Sequence, residues 1–385
     1  MAGAGPAGLA IAGALIARGL RVACGDPEPG RRWAHHTSTW ADEIEPLGLD
    51  AYCDRIWPRV EVIFGERSRR VFQRGYTHFD NDALKKAVLP PSIEMVEGRV
   101  RRSEHDRQGS TVELEGGEKL RASLVFDATG HDHALLPSAH QADSFQGVYG
   151  ILARVDRHPF DLDRMLLMDF RHAFLGNRTS PPTFLYAMPW DRDYAFFEET
   201  SLAGSSNIPI EVLQGRLYLR LASLGIRIRS VESVEADSLP LNGPLPDPAA
   251  RVIGFGAAGG FVQASTGWSV GHSLRLAGPV SELVVAGLGE GLAPEEIARR
   301  VYRLVGTPAL LRMRRFHLQG GRLFGHIGIR TLSVLMKVFF NAPGNMWKVY
   351  LSNDCTVPGI EGALAAGNRG PSSFGEANRH SQTGA

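Results

Sequence analysis

A glycine-rich loop at the start of the chain limits what its first domain can be. Residues 3–8 read Gly-Ala-Gly-Pro-Ala-Gly, and a helix is predicted from this loop to about Arg18. Gly19 would end the helix, a strand is predicted over Leu20–Cys24, and Asp26 follows it. In a Rossmann-type βαβ unit the glycines allow a tight turn, close approach of a diphosphate and helix packing, while the acid accepts hydrogen bonds from ribose hydroxyls.

The strand that normally precedes such a loop is missing, because only Met1 and Ala2 come before the first glycine. We interpret the gap as a truncated or misassigned start of the chain. The alternative is a glycine-rich helix start that binds no nucleotide. Since the helix, the second strand and the acid are all in place, we favour a dinucleotide site formed by Gly3, Gly5, Pro6, Ala7, Gly8 and Asp26.

Two later segments are typical of turns that face the same kind of site. Residues 124–130 are a short apolar run that ends in Asp-Ala-Thr-Gly. Residues 252–260 predict a strand followed by small residues, and Thr266-Gly267-Trp268-Ser269 completes this second segment. A helix is predicted from about Trp268 to Ala286. Three such signals far apart in the chain favour a flavin domain interleaved with a substrate domain. The cofactor residues predicted in these segments are Asp127, Gly130, Gly256, Ala257 and Gly267.

The middle of the chain predicts a sheet, and the last part predicts helices. Residues 298–350 are mainly helical, and the apolar stretch 323–340 suits either a membrane interface or packing on the protein body. The polar residues 366–385 predict a disordered tail. An antiparallel sheet forming one wall of a cavity is expected from four strands: Phe145–Val155, Met165–Phe170, Thr183–Met188 and Tyr194–Glu199.

Composition narrows the possible functions. The 385 residues include 42 basic and 41 acidic side chains with no long run of one sign, so a nucleic-acid partner is not expected. The three cysteines form no CxxC motif, which argues against a disulfide framework and a zinc site, and no metal ligand is assigned. A reducing, cytoplasmic compartment fits. No apolar stretch reaches about 20 residues, so a membrane-spanning helix is not expected.

Several blocks together resemble the plant- and cyanobacterial-type lycopene cyclases, a family of carotenoid-forming flavoproteins. The resemblance covers about residues 3–350. It departs from the family at the missing first strand, at Gln263-Ala264-Ser265 where His-Pro-Ala is usual, and at the polar tail. The blocks that carry it are residues 33–57, 146–170, 184–200 (FLYAMPWDRDYAFFEET), 239–246 (LPLNGPLP) and 256–269 (GAAGGFVQASTGWS).

The resemblance implies an α/β protein with a glutathione-reductase-like FAD-binding fold of Rossmann type, lacking its first strand. An antiparallel substrate-domain sheet and a helical C-terminal part would complete it. The boundaries expected are 1–60, 110–145 and 240–297 for the FAD-binding domain, 61–109 and 146–239 for the substrate domain, and 298–365 for the helical region.

The activity that the resemblance implies is a cyclisation without net redox change. Linear ends of lycopene or a related carotenoid, drawn from a membrane to which the protein binds peripherally, would become β-ionone rings. FAD would act in its reduced form, and NADPH or NADH would serve to reduce it. Oligomeric state is left open.

Such a reaction needs a carboxylic acid that stays protonated near neutral pH in a dry pocket. Glu198 and Glu199 lie in a Phe-Phe-Glu-Glu-Thr strand, where successive side chains face opposite sides, so only one of them can point into the cavity. Keeping a Glu half protonated at pH 7 requires its pKa to rise by roughly 2.7 units, or about 3.7 kcal/mol. By resemblance Glu198 is the essential acid and base, and Glu199 is a supporting candidate. The alternative is an edge strand with two solvated carboxylates.

Two other functions remain open on the same fold. One is a redox flavoenzyme, such as a monooxygenase or a saturase, which would change the mass of its substrate. The other is a cyclase-like protein that acts on a different terpenoid, or one that has no catalytic function because the first strand is lost. Masses and identities of products distinguish these functions from lycopene cyclisation.

Overall fold

The computed structural model describes residues 1–136, 140–176, 181–204, 208–324 and 327–352. The predicted tail and the last part of the predicted helical region lie outside these ranges. The strands are β1 (Ala23–Asp26), β2 (Ser38–Trp40), β3 (Cys53–Trp57), β4 (Arg59–Gly65), β5 (Ser68–Phe72), β6 (Tyr76–Phe79), β7 (Glu94–Glu97), β8 (Val100–Asp106), β9 (Gly109–Leu114), β10 (Lys119–Ala122), β11 (Phe126–Asp127), β12 (Phe145–Val155), β13 (Arg164–Asp169), β14 (Thr183–Asp191), β15 (Tyr194–Ser201), β16 (Ile228–Pro240) and β17 (Ile253–Gly254). The helices are α1 (Pro6–Ile16), α2 (Ala41–Ile44), α3 (Asn81–Val88), α4 (Ile210–Ser223), α5 (Val270–Gly289), α6 (Pro294–Val305), α7 (Pro308–Phe324), α8 (Ile329–Asn341) and α9 (Met346–Tyr350).

Short parallel strands form the sheet behind the glycine loop. β1 pairs with β7 and β11 pairs with β17, both in parallel. Ala2 forms parallel bridges with Gly25 of β1 and Asp127 of β11. A single residue therefore occupies the central position where the missing strand was expected. The α/β class is confirmed, and buried apolar residues of α1 and α5 pack together against this sheet.

A seven-stranded sheet forms the second half of the molecule, in the order β16-β12-β15-β14-β13-β4-β5. The four strands predicted in the middle of the chain are confirmed as β12 to β15, and β12 has the predicted bounds. The expectation of an antiparallel sheet needs one correction, because β13 and β4 pair in parallel. This pair joins strands about a hundred residues apart in the chain, so no local turn dictates its direction.

The predicted domain boundaries also need correction over residues 61–109. β4 and β5 lie in the seven-stranded sheet as expected, but β7 pairs with β1 of the parallel sheet, and β8 pairs with β9 in a separate antiparallel sheet with β10. A third small sheet, β2-β6-β3, draws on both sides of the predicted boundary at residue 60. Strand pairing over such separations is set by tertiary contacts that local composition does not reveal.

The two faces of the seven-stranded sheet are covered differently. One face packs against α4 through apolar residues such as Ile151, Phe197 and Leu217. The other face carries Phe196 and an aromatic-rich core, against which α8 and α9 pack. None of the helices in the described part of the chain combines the length and apolar character needed to cross a membrane.

Candidate active site

The three glycines of the first loop have three different surroundings. Gly3 has φ of +94°, and a Cβ there would come within 2.5 Å of the Ala128 carbonyl oxygen. A Cβ on Gly8 would collide with the carbonyl oxygen of Gly3. Gly5, the N-cap of α1, has no protein atom within 4 Å of its Cβ position, and the first turn of the helix contains no acidic residue. The loop therefore leaves open space at a helix N-terminus, which is an arrangement that suits a phosphate group.

The predicted cofactor segments meet around this loop. The carboxylate of Asp26 accepts a hydrogen bond of 2.8 Å from the Ala4 backbone nitrogen, so the acid at the end of β1 braces the loop. A Cβ on Gly256 (φ +68°) would come within 2.6 Å of the Ala7 Cβ, which places the third segment directly on α1. The turn at Gly130 packs beside the turn that begins at Gly256.

Asp127 has a structural task in the second segment. It is fully buried, and its carboxylate accepts hydrogen bonds from the Thr129 backbone nitrogen at 3.0 Å and hydroxyl at 2.6 Å, and from the Leu135 nitrogen at 2.7 Å. Its oxygens therefore hold the loop between β11 and the next segment. The neighbouring Gly130 (φ +72°) has open space at its Cβ position.

Glu198 lies on the aromatic face of the seven-stranded sheet. In the register it stands opposite Gly150 of β12 on one side and Tyr186 of β14 on the other. The Thr200 hydroxyl donates a hydrogen bond of 2.5 Å to the carboxylate of Glu198. Burial raises the pKa of Glu198 to about 8, and the charge of Glu235 contributes to the rise. A large fraction of this carboxyl is therefore protonated at neutral pH, as a general acid requires.

Glu199 lies on the opposite face of the same strand. It is 0% exposed, and Arg220 of α4, 1% exposed, donates to both of its carboxylate oxygens at 2.7 and 2.8 Å. The Thr183 hydroxyl donates a third hydrogen bond. Glu199, the supporting candidate of the sequence analysis, therefore uses its carboxylate to hold α4 on the sheet and lies on the face away from Glu198. The strand alternation left open which Glu lies on the aromatic face, and the packing of Glu199 against α4 leaves Glu198 on that face.

A second carboxylate near Glu198 was missed by the sequence analysis. Glu235 of β16 stands opposite Gly150, the residue that also pairs with Glu198. Its oxygens lie 2.9 Å from His35 Nδ1 and 3.0 Å from the His36 backbone nitrogen. Although burial alone would raise the pKa of Glu235, these hydrogen bonds bring it below its usual value. The pairing register of β16 is the signal that reveals this residue, and no local motif marks it.

An aromatic cluster, defined as Trp40, Tyr76, Tyr186 and Trp268, lies between the Gly267 turn and Glu198. Trp268 follows the Gly267 turn and lies 5.6 Å from Trp40 and 5.8 Å from Tyr76 between ring centroids. The hydroxyls of Tyr76 and Tyr186 are 3.2 Å apart. Since Tyr186 is the cross-strand neighbour of Glu198, apolar rings extend from the Gly267 turn to the acid.

An apolar cavity of about 640 Å³ lies where α7, α8 and α9 meet the aromatic face of the sheet. The lining includes Met336 and Phe340, which belong to the same core as Phe196. The carbonyl oxygen of Leu351, also in the lining, accepts a hydrogen bond from Trp40 Nε1 at 3.2 Å. The aromatic cluster therefore touches the cavity wall, although Glu198 itself is not among the described lining residues.

The chain has clear relatives. The family model described as "Lycopene cyclase protein" matches residues 1–360. The chain belongs to the lycopene cyclase family. A lycopene beta cyclase of Synechococcus elongatus is 33% identical over 94% of this chain and 90% of its own length. A neoxanthin synthase of Solanum lycopersicum is 33% identical, and a capsanthin/capsorubin synthase of Capsicum annuum is 32% identical, both over 92% of this chain and 74% of their own length.

Solved structures give this lycopene cyclase family member a well-represented fold. A geranylgeranyl bacteriochlorophyll reductase-like protein of Thermoplasma acidophilum superposes with a TM-score of 0.70 and 14% identity, covering 94% of both chains. The flavin-dependent brominase Bmp2 superposes with a TM-score of 0.65 and 15% identity, covering 96% of this chain and 98% of its own. At these identities the likeness shows a shared fold.

The segment Gln263-Ala264-Ser265 has a structural role in this chain. The side-chain oxygen of Gln263 accepts three hydrogen bonds of 2.8 Å, from the Ser265 backbone nitrogen and hydroxyl and from the Thr266 hydroxyl. Its amide nitrogen donates to the Tyr350 carbonyl oxygen at 2.8 Å. Gln263 therefore organises the turn before Gly267 and ties it to α9. The described residues contain no group of three or more His, Cys, Asp or Glu side chains placed to hold a metal ion.

Proposed function

We propose that this protein is an FAD-dependent lycopene cyclase that converts linear carotenoid ends to β-ionone rings without net redox change. The observation that carries the proposal is Glu198, a carboxyl with a raised pKa on an aromatic face that extends to the cofactor side. Family membership and relatives named lycopene beta cyclase support the choice of substrate.

The proposed reaction transfers protons and leaves the substrate formula unchanged. The Glu198 carboxyl donates its proton to the terminal double bond, and the chain closes on the resulting cation. The Glu198 carboxylate then takes a proton from a ring carbon, which forms the ring double bond and restores the acid. Thr200 fixes the carboxyl by its hydrogen bond, while Phe196 and Tyr186 exclude water and offer π faces to the passing cation. The raised pKa makes Glu198 an effective acid near neutral pH.

The first loop and the segments around it would hold FAD in a glutathione-reductase-like manner. Open space at Gly5 and the uncapped N-terminus of α1 suit the diphosphate, and Asp26 ends the strand where a ribose would lie. The turns at Gly130, Gly256 and Gly267 would face the rest of the cofactor. Bound FAD, reduced by NADPH or NADH, would supply negative charge that stabilises the carbocation. The proton transfers would be carried out by protein side chains and not by the FAD.

The cavity between the C-terminal helices would admit the polyene from a membrane. Three of its lining residues, Phe316, Leu323 and Leu335, are also exposed, so the cavity reaches the surface through apolar side chains. Val334 and Val338 on α8 extend this patch, and Val338 is 65% exposed. Residues 308–352 contain seven Arg and Lys and no Asp or Glu. Apolar and basic side chains together favour a cytoplasmic protein that binds the membrane surface peripherally.

Expression in lycopene-accumulating bacteria tests the proposal. Pigments are separated by chromatography, and their molecular masses are determined by mass spectrometry. A cyclic product with the mass of lycopene is expected. Glu198→Gln should abolish this product while the purified protein keeps its flavin. Glu232 of β16 has an exposed carboxylate that pairs with Arg154. Glu232→Gln serves as the matched control and should remain active. Cyclic product from Glu198→Gln would refute the assignment of the acid.

A second candidate function is supported by the names of equally similar relatives. The neoxanthin synthase and capsanthin/capsorubin synthase match this chain as well as the lycopene beta cyclases do. A cyclase or rearranging enzyme of another carotenoid end would use the same acid. A redox flavoenzyme is the other alternative, since the structural neighbours include proteins titled monooxygenases. A product heavier by one oxygen or changed by two hydrogens would identify the redox alternative.

A further inference from the structure

The single glycine at position 150 separates two carboxylates on one face of the sheet. Glu198 and Glu235 stand opposite Gly150 from the two neighbouring strands, so their backbones lie two strand spacings, or about 10 Å, apart. The ring of Phe196 lies over Gly150, where a Cβ would collide with it. No side chain from β12 therefore stands between the two acids, and an apolar ring lowers the capacity of this space to screen charge.

The two carboxylates have opposite environments. Glu198 has the Thr200 hydroxyl as its hydrogen-bond partner, whereas Glu235 has the His35 ring and the His36 backbone nitrogen. Hydrogen bonds from a ring N–H and from a backbone N–H stabilise the ionised form of a carboxylate. When environments separate two neighbouring acids in this way, one keeps its proton and the other keeps its charge.

We propose that Glu235 is a positioning residue whose charge, held by His35 and the His36 backbone, keeps the proton on Glu198 between catalytic cycles. The inference rests on the function proposed above, and it adds the residue that maintains the acid form. Glu235 acts through Glu198 and needs no contact with the polyene.

The other groups around Glu198 do not replace this charge. Burial, with the charge of His78, lowers the pKa of His36 to about 4, so this ring is neutral. Burial raises the pKa values of Tyr76 and Tyr186, which also stay neutral. Glu235, which raises the pKa of Glu198, and His35, which lowers it, are the groups whose fields act on this carboxyl. The titratable groups on the surrounding elements are His35 and His36 before β2, Tyr76 and His78 on β6, Tyr186 on β14 and Glu235 on β16.

The size of the effect follows from the distance. A unit charge about 10 Å away, at an effective dielectric constant of about 20, changes a protonation equilibrium roughly tenfold. Without the charge of Glu235, the pKa of Glu198 would be about one unit lower. The cyclisation rate at pH 8, relative to the rate at pH 6, should then fall roughly fivefold compared with the wild type.

The experiment measures initial cyclisation rates of the full-length protein from pH 6 to pH 9, with reduced FAD and lycopene in liposomes. For Glu235→Gln the descending limb of the pH–rate profile should move to lower pH. For Glu235→Asp, which keeps the charge, this limb should stay at the wild-type pH. Glu232→Gln is the control from the same strand. An unmoved limb in Glu235→Gln, or a uniform loss at every pH, would overturn the proposal. A wild type without cyclic product at any pH would instead refute the proposed function.

A second variant keeps the test decisive if Glu235→Gln does not fold. The His35 side chain is 63% exposed, so His35→Ala should fold. It removes a hydrogen bond that helps to keep Glu235 ionised, so the descending limb should move to lower pH, in the same direction as for Glu235→Gln. A limb that stays in place or moves to higher pH in this variant contradicts the proposal.

Discussion

The adjacent acids Glu198 and Glu199 should respond to the same substitution in opposite ways. Glu198→Gln should abolish cyclisation and stabilise the protein at pH 7.5. The folded state holds this carboxyl at a pKa of about 8, against 4.5 as the ordinary value. At pH 7.5 the folded chain therefore takes up a proton that the unfolded chain has released. Three pH units correspond to about 4 kcal/mol, or about 3 kcal/mol when partial exposure of the side chain is allowed for.

The sign of this effect depends on pH. Because the pKa of Glu198 is raised on folding, its contribution to stability is fully present below pH 4.5 and is lost as the pH rises to about 8. The gain from Glu198→Gln should therefore vanish near pH 4.5. Glu199→Gln should instead destabilise the protein by about 3–5 kcal/mol at both pH values, because it leaves Arg220 buried without its ionised partner.

Urea unfolding, followed by tryptophan fluorescence at pH 5 and pH 7.5, measures these differences. The midpoint should rise by roughly half a molar or more for Glu198→Gln at pH 7.5 and should fall for Glu199→Gln. Glu232→Gln, whose carboxylate is exposed, should change little. Equal destabilisation by both substitutions would show that Glu198 is an ionised structural residue, and the reasoning about its proton would be wrong.

Two further predictions concern the loop and the membrane surface. Gly5→Ala should preserve folding but lower flavin content, because the added methyl group meets no protein atom and enters the space assigned to the diphosphate. Gly8→Ala should prevent folding, because its methyl group would collide with the Gly3 carbonyl oxygen. Soluble yield measures folding, and flavin absorbance measures flavin content. If Gly5→Ala keeps full flavin content, the diphosphate does not lie there. Val338→Asp should reduce flotation with liposomes several-fold without changing flavin content, since a charge opposes insertion of the α8 patch, and unchanged flotation would exclude this surface.

The local sequence pattern was sufficient to predict some elements of the fold. β12 could be predicted to the residue because its apolar and aromatic residues are bounded by polar segments. The glycine loop could be predicted from its spacing, although the crowding at Gly3 comes from Ala128, far along the chain. The partner of β1 could not, since β7 lies about seventy residues later and nothing in its own residues specifies a parallel neighbour.

In the candidate site, too, some features could be predicted from the sequence and others depend on tertiary contacts. Glu198 could be predicted from its motif, but the assignment of faces on β15 depended on α4, which brings Arg220 to Glu199. Glu235 could not be predicted, because its closeness to Glu198 arises from the register of β16 on β12. Asp127 has the residue type of a cofactor contact, yet its oxygens are used by the following loop.

The exposed mouth of the cavity at Phe316, Leu323 and Leu335 has a kinetic consequence. If the protein binds the membrane as proposed, this entrance would open into lipid and would sample the mole fraction of polyene in the bilayer rather than its amount per volume of water. Adding empty vesicles at a fixed total amount of polyene would therefore slow turnover by surface dilution. The half-saturation point of such an enzyme is a property of the protein and its membrane together.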